Sequence, residues 1–190
     1  MLFNSIGFLF AFLPITVIGF FLLAKRNQTL AAGWLAAASL FFYGWWDYRY
    51  IYLLLISISV NFWFSHRIRK NPDPPSKKYW LVTAIAANLI LLGYYKYADF
   101  FLSSASAISG VSLPLLNIVL PIGISFFTFT QIAFLVDTYQ GKVKEYRFIH
   151  YILFVTYFPH LIAGPVLHHG EMMPQFWDKK TYSLSATNFA

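Results

Sequence analysis

Few residues in this 190-residue sequence could move a proton or hold a ligand, and those few stand in apolar surroundings. His160 lies in Phe158-Pro159-His160-Leu161-Ile162. Imidazole titrates near neutrality, so a histidine there is a candidate general base. No carboxylate stands nearby in sequence to orient it, and burial beside a proline reads at least as well. His168-His169-Gly170-Glu171 places ligating side chains in a row. It lacks the H-E-x-x-H spacing and any second ligand cluster, so it reads as a polar loop and no metal is expected. Cysteine is absent, which removes thiolate nucleophiles and Cys-based metal sites. The sequence contains no P-loop, no dinucleotide glycine fingerprint and no G-x-S-x-G elbow.

Polar residues inside apolar runs carry more information. Ser125, Thr128 and Gln131 recur at a spacing of three, which puts them on roughly one helix face. Two readings stay open. They are hydrogen-bonding contacts between helices, worth about 1 kcal/mol or less each, or they are the polar wall of a substrate tunnel, with His160 a weaker candidate for the same lining. Asn61 and Asn88 read as contacts between helices.

The elements that must position these residues are set by charge spacing. Residues 1–24, 27–46 and 50–65 carry no charge, and only Lys25, Arg26, Asp47 and Arg49 interrupt them. About 20 apolar helical residues cross a hydrocarbon core about 30 Å thick. The chain is 58% hydrophobic and 11% charged, well below the roughly 25% charged residues of soluble domains. Backbone inside lipid must satisfy its own hydrogen bonds, and continuous runs favour helices over barrel strands. The expected fold is all-α, a polytopic membrane protein of five to six transmembrane helices plus a short re-entrant or interfacial helix. The spans are about Ile6–Leu23, with a kink at Pro14, then Thr29–Trp46, Tyr50–Ser65, Tyr79–Tyr95, Leu116–Val136 and Phe148–Ala163. Asp99–Ser109 is the short helix, after an outer turn at Lys96–Asp99. Ser183, Ser185 and Thr187 resemble the cap of a further helix.

The net charge of +7 sits in short loops, so it reports orientation rather than nucleic-acid binding. His66 to Lys78 holds five Lys and Arg against Asp73, in a loop containing Asn71-Pro72-Asp73-Pro74-Pro75. The positive-inside rule places that loop in the cytoplasm, Lys25–Gln28 inside, and Asp47–Arg49 and the N-terminus outside. No basic residue precedes Lys25, which argues against a cleavable signal peptide. No internal repeat stands out, and residues 1–190 read as one transmembrane domain.

Two segments carry a resemblance. One is Leu120-Pro121-Ile122-Gly123-Ile124-Ser125-Phe126-Phe127-Thr128-Phe129-Thr130-Gln131, continuing to Asp137-Thr138-Tyr139-Gln140-Gly141. The other is Phe158-Pro159-His160-Leu161-Ile162-Ala163-Gly164-Pro165-Val166, continuing to Met173-Pro174-Gln175. With Phe41-Phe42-Tyr43-Gly44-Trp45, they resemble the membrane-bound O-acyltransferase family, in particular its alginate O-acetyltransferase branch. The resemblance implies an enzyme of the bacterial inner membrane. It would pass an acetyl group from a cytoplasmic donor, acetyl-CoA or another acyl donor, towards hydroxyls of an exported polysaccharide such as alginate. It implies membrane lipids, periplasmic polysaccharide acetylation proteins and the exported polysaccharide as partners, and no bound cofactor. The family's catalytic histidine is expected beyond Ala190, so the chain looks like an N-terminal portion that is inactive alone. The same resemblance gives Pro121, Gly123, Gly164 and Pro165 structural roles in shaping breaks along a tunnel, and Asp137 the role of an interfacial anchor. A teichoic-acid D-alanyl transferase of the same superfamily, or a non-enzymatic transporter or scaffold piece, are the alternatives.

Overall fold

A computed structural model describes residues 3–144, 146–161, 169–176 and 178–182; these are mostly helical and include no strand. Helix α1 (Phe8–Ala24) opens with a π-wound turn, Phe8–Phe12, where Leu13 N–H reaches back five residues to the Phe8 carbonyl. Pro14 follows at once. A proline has no N–H for the carbonyl four residues back and its ring crowds that carbonyl. The widened turn accommodates both, so the expected kink takes the form of a π-turn in one continuous helix.

Asn27 starts α2 (Gln28–Gly44), its Oδ1 accepting from Thr29 N–H at 2.7 Å. Ala31, Ala32 and Ala36 are fully or almost fully buried, and their small side chains let α1 and α6 approach closely. Against α1 the fit is tight. A Cβ at Gly19 would lie 2.6 Å from the Trp34 indole, whose Nε1–H donates to the Thr16 carbonyl at 3.0 Å.

A short turn leads to α3 (Arg49–Lys70). The Asp47 carboxylate accepts from the Arg49 guanidinium at 2.7 Å and from its backbone N–H at 3.0 Å. The guanidinium beside it holds the Asp47 carboxyl below its ordinary range. The sequence placed His66–Lys70 in a loop, but they form the last turn of α3. Arg67, Arg69 and Lys70 offset the partial negative charge at that helix end, which lets the helix run on.

Only residues 71–73 separate α3 from α4 (Pro74–Ser109). Asp73 caps α4 by accepting from Ser76 N–H at 3.1 Å, with Pro74 in the first turn. The outer turn expected at Lys96–Asp99 does not form, and the separate short helix over Asp99–Ser109 is the end of α4. Nothing in Lys96-Tyr97-Ala98-Asp99 breaks a helix: charge marks a boundary with water, not a boundary of helix. Gly110 does end it, in the left-handed conformation at φ 70°, its N–H on the Ser106 carbonyl.

Residues 111–121 have no regular secondary structure. Asn117, at φ 52°, turns the flanking N–H groups of Leu116 and Ile118 onto the Asp99 carboxylate at 2.7 and 2.9 Å. Tyr50 Oη–H donates to the Val119 carbonyl at 2.7 Å. The expected span from Leu116 therefore begins eight residues later, as α5 (Ile124–Tyr139), entered through Gly123 at φ 68°. Few residues besides glycine adopt that conformation readily. The sixth apolar run is also divided. Helix α6 (Phe148–Thr156) stops at Tyr157, and α7 (Phe158–Leu161) is a single turn holding Pro159. The break precedes Gly164-Pro165, which lie outside the described residues. Helix α8 (His169–Met172) and two 3-10 turns, Met173–Phe176 and Lys179–Tyr182, follow.

Helix α3 stands at the centre, against α2, α4, α5 and α6. The main core joins Leu54 and Ile58 of α3 to Phe127 and Phe134 of α5 and to Tyr151 and Phe154 of α6. Helices α3 and α4 are long and apolar enough to cross a membrane, and α1 is a shorter apolar helix.

Candidate functional site

Buried polar side chains from four helices meet in one network. Ser57 and Asn61 come from α3, Asn88 from α4, Gln131 from α5 and Tyr151 from α6; all are 6% exposed or less. Asn61 and Asn88 exchange side-chain hydrogen bonds. Asn61 Nδ2 donates to Asn88 Oδ1 at 3.1 Å, and Asn88 Nδ2 donates to Asn61 Oδ1 at 2.6 Å. The remaining amide hydrogens go to backbone carbonyls one turn back, Ser57 at 2.9 Å and Ala84 at 2.8 Å. Gln131 Nε2 donates to Ser57 Oγ at 3.0 Å and Gln131 Oε1 accepts from Tyr151 Oη at 3.3 Å.

Helical spacing explains why they meet. Leu54, Ser57, Ile58, Asn61, Ser65 and Ile68 recur every three or four residues and form the buried face of α3. Ala84, Asn88 and Leu92 form the narrow buried stripe of α4. An amide on each stripe at the same height finds a partner instead of paying for desolvation. The network is made of amides and hydroxyls. It fixes four helices in register and offers no group to accept a proton at neutral pH.

The sequence candidates are distributed as follows. Thr128 and Gln131 are fully buried on α5; Ser125 is half-buried and accepts from Lys96 Nζ at 3.2 Å. The Thr128 hydroxyl has no hydrogen-bond partner among the described residues. Pro121 is buried and Gly123 is the α5 cap. Asp137, read as an interfacial anchor, is only 7% exposed. His160 lies on the single-turn α7, but its side chain, like those of His169 and Glu171, lies outside the described residues, as do Gly164, Pro165 and His168. The expectation that Ser183, Ser185 and Thr187 cap a further helix also falls outside them. Among the described residues no group of His, Asp or Glu is arranged to hold a metal ion.

One buried imidazole escaped the sequence reading. His150 on α6 is 2% exposed, its ring 6.4 Å from that of Phe176. Its neighbours Ile149 and Tyr151 are apolar or aromatic, and the only available signal was its place on the inward face of a nine-residue helix. Beside this region lies a cleft of about 620 Å³ between α1 and the C-terminal turns. Phe8, Phe20, Tyr157, Phe158, Met172 and Phe176 are among its walls. Its size and aromatic lining suit an apolar group.

The chain is similar to curated proteins named for O-acetyl transfer. It is 40% identical, over its whole length, to the peptidoglycan O-acetyltransferase of Helicobacter pylori. It is 37% and 38% identical, over 97% and 93% of its length, to proteins of Azotobacter vinelandii and Pseudomonas aeruginosa, each named "Probable alginate O-acetylase AlgI". The chain spans 41%, 37% and 34% of the lengths of those three relatives. No protein-family model and no solved structure matches it.

Proposed function

We propose that this chain, similar over its length to proteins named as O-acetyltransferases, belongs to the membrane-bound O-acyltransferase family and is part of an enzyme that acetylates hydroxyls of an exported glycan. The observation that carries this reading is identity of 37–40% to named O-acetyltransferases across at least 93% of the chain. The acceptor is a glycan hydroxyl, of peptidoglycan or of an alginate-like polysaccharide. The donor is a cytoplasmic acetyl thioester such as acetyl-CoA. Its carbonyl–sulfur bond breaks, a carbonyl–oxygen bond forms, and the hydroxyl proton passes to a base while the thiolate leaves.

In this reading the catalytic base is not among the described residues. The chain contributes scaffold: the network at Ser57, Asn61, Asn88, Gln131 and Tyr151 holds the bundle in register, and Thr128, with a spare hydroxyl, is the best placed of the tunnel-wall candidates. The bundle is polytopic, with residues 66–78 on the cytoplasmic side of an inner membrane and the ends of α2 and α4 outside. Exposed Val82, Leu89, Ile90 and Tyr94 on α4 support a lipid-facing surface, as does the modest burial of that helix. At about 54 Å, 36 residues of α4 are longer than a hydrocarbon core, so its Ser-rich end projects beyond the lipid. Periplasmic acetylation proteins are the proposed partners there.

Ester-linked acetate tests the proposal. Cells without their own glycan O-acetyltransferases would receive either this chain or the complete reading frame containing it. Acetate released by mild alkali is then measured from purified peptidoglycan and from exopolysaccharide. Acetate is expected on one of the two glycans with the complete frame, and none with the chain alone. No acetate with the complete frame would sink the transfer reading, and acetate from the chain alone would refute the division of labour.

A further inference from the structure

The exposed face of α3 changes chemistry along its length in a way that the acyl-transfer reading leaves unused. Tyr52, Ile56, Val60 and Trp63 are each 42–69% exposed and follow one another every three or four residues. The same stripe continues into Arg67 and Lys70, both exposed. At that end Trp63, His66, Arg67, Lys70 and Asn71 line a recess of about 430 Å³. One side of the helix thus offers about three turns of apolar surface ending in a cationic, indole-walled pocket.

The cations of this helix end are not equivalent. Arg69 turns away from the recess and lies over the Tyr146 ring at 4.2 Å. Arg67 stands over two indoles, 5.0 Å from Trp63 and 5.8 Å from Trp80 of α4. Such contacts hold a guanidinium in place while leaving its N–H edge free to donate. No acidic side chain among the described residues pairs with Arg67 or Lys70. Orientation alone asks only for positive charge near the membrane surface. It does not ask for a fixed guanidinium, a second cation one turn on and a recess joined to an apolar stripe.

We propose that the recess of Trp63, His66, Arg67, Lys70 and Asn71 binds the phosphate headgroup of an anionic phospholipid, with an acyl chain lying along Tyr52, Ile56 and Val60. A phosphate diester suits a fixed arginine fork beside a mobile ammonium. A free phosphate would use the cations but gain nothing from the apolar stripe. The proposal rests on the membrane placement of α3 and is independent of the acyl-transfer reading.

The test compares the full chain in nanodiscs of phosphatidylcholine alone and of phosphatidylcholine mixed with phosphatidylglycerol. Lipid retained on the protein is counted by native mass spectrometry after release. Phosphatidylglycerol should be retained preferentially. The double variant Arg67→Gln/Lys70→Gln should lower that preference about tenfold or more, and Lys25→Gln/Arg26→Gln, with the same charge loss at another loop, should leave it intact. Circular dichroism verifies folding; should the double variant unfold, Lys70→Gln alone carries the comparison, because Lys70 is exposed. Equal retention of both lipids would overturn the site, and so would equal loss in both double variants. Displacement by soluble glycerol phosphate at the concentration of the lipid would assign the recess to a free phosphoester and also overturn it. A chain that enters neither kind of disc would refute the membrane placement itself.

Discussion

At the residue scale the polar network makes an asymmetric demand. Asn61 and Asn88 satisfy each other and one carbonyl each, at 3% and 4% exposure. Truncating one leaves the other buried with a donor and an acceptor unmet, which costs about 1–3 kcal/mol. Replacing both with leucine removes the demand together with the bonds. We therefore expect Asn61→Leu and Asn88→Leu each to lower the midpoint of thermal unfolding in detergent. Asn61→Leu/Asn88→Leu should lie closer to the parent than the sum of the two. Strictly additive losses would show that the two amides do not act as a pair. Sequence could place both asparagines on apolar runs and suggest contacts between helices. It could not pair them, because 27 residues separate them and only the packing of α3 on α4 sets their heights equal.

At the element scale, α4 differs most from the sequence expectation. Reading charge as a loop put a turn at Lys96–Asp99, where the backbone is helical throughout. Asp99 is instead half-buried on the helix, and its carboxylate organises the irregular segment after Gly110 through Leu116 and Ile118. Proline separates the two descriptions. In a turn, Ala98→Pro would be tolerated. In the middle of a helix it removes the bond to the Tyr94 carbonyl and crowds it, for about 3 kcal/mol. We expect Ala98→Pro to lower the unfolding midpoint and to speed amide exchange from Tyr94 through Ser103. An unchanged midpoint would restore the turn. Breaks in the second half follow the same logic in reverse. Pro121, Gly123 and Pro159 were visible as residues, but the start of α5 at Ile124 and the stop of α6 at Thr156 were not.

At the scale of the whole molecule, the proposed orientation rests on where the cations lie. Lys25 and Arg26 follow α1, and Arg67, Arg69, Lys70, Lys77 and Lys78 surround the α3–α4 connection. A reporter fused after Pro74 should be active in the cytoplasmic form and silent in the periplasmic one, and a reporter after Asp47 should do the opposite. The reversed pattern would invert the proposed topology and move the lipid recess to the outer leaflet.

Chemical class was already written in the sequence. Long uncharged runs with short basic interruptions require helices, because backbone polar groups without water must bond to their own segment, and two motif segments pointed to the acyltransferases. Both inferences depend on local composition and short spacing, which the chain carries wherever it folds. Tertiary structure decided the rest: that one helix runs unbroken through a charged tetrapeptide, that four helices share one amide network, and that His150 is buried. Each of those depends on a partner distant in the chain, and no local pattern fixes where such a partner will stand.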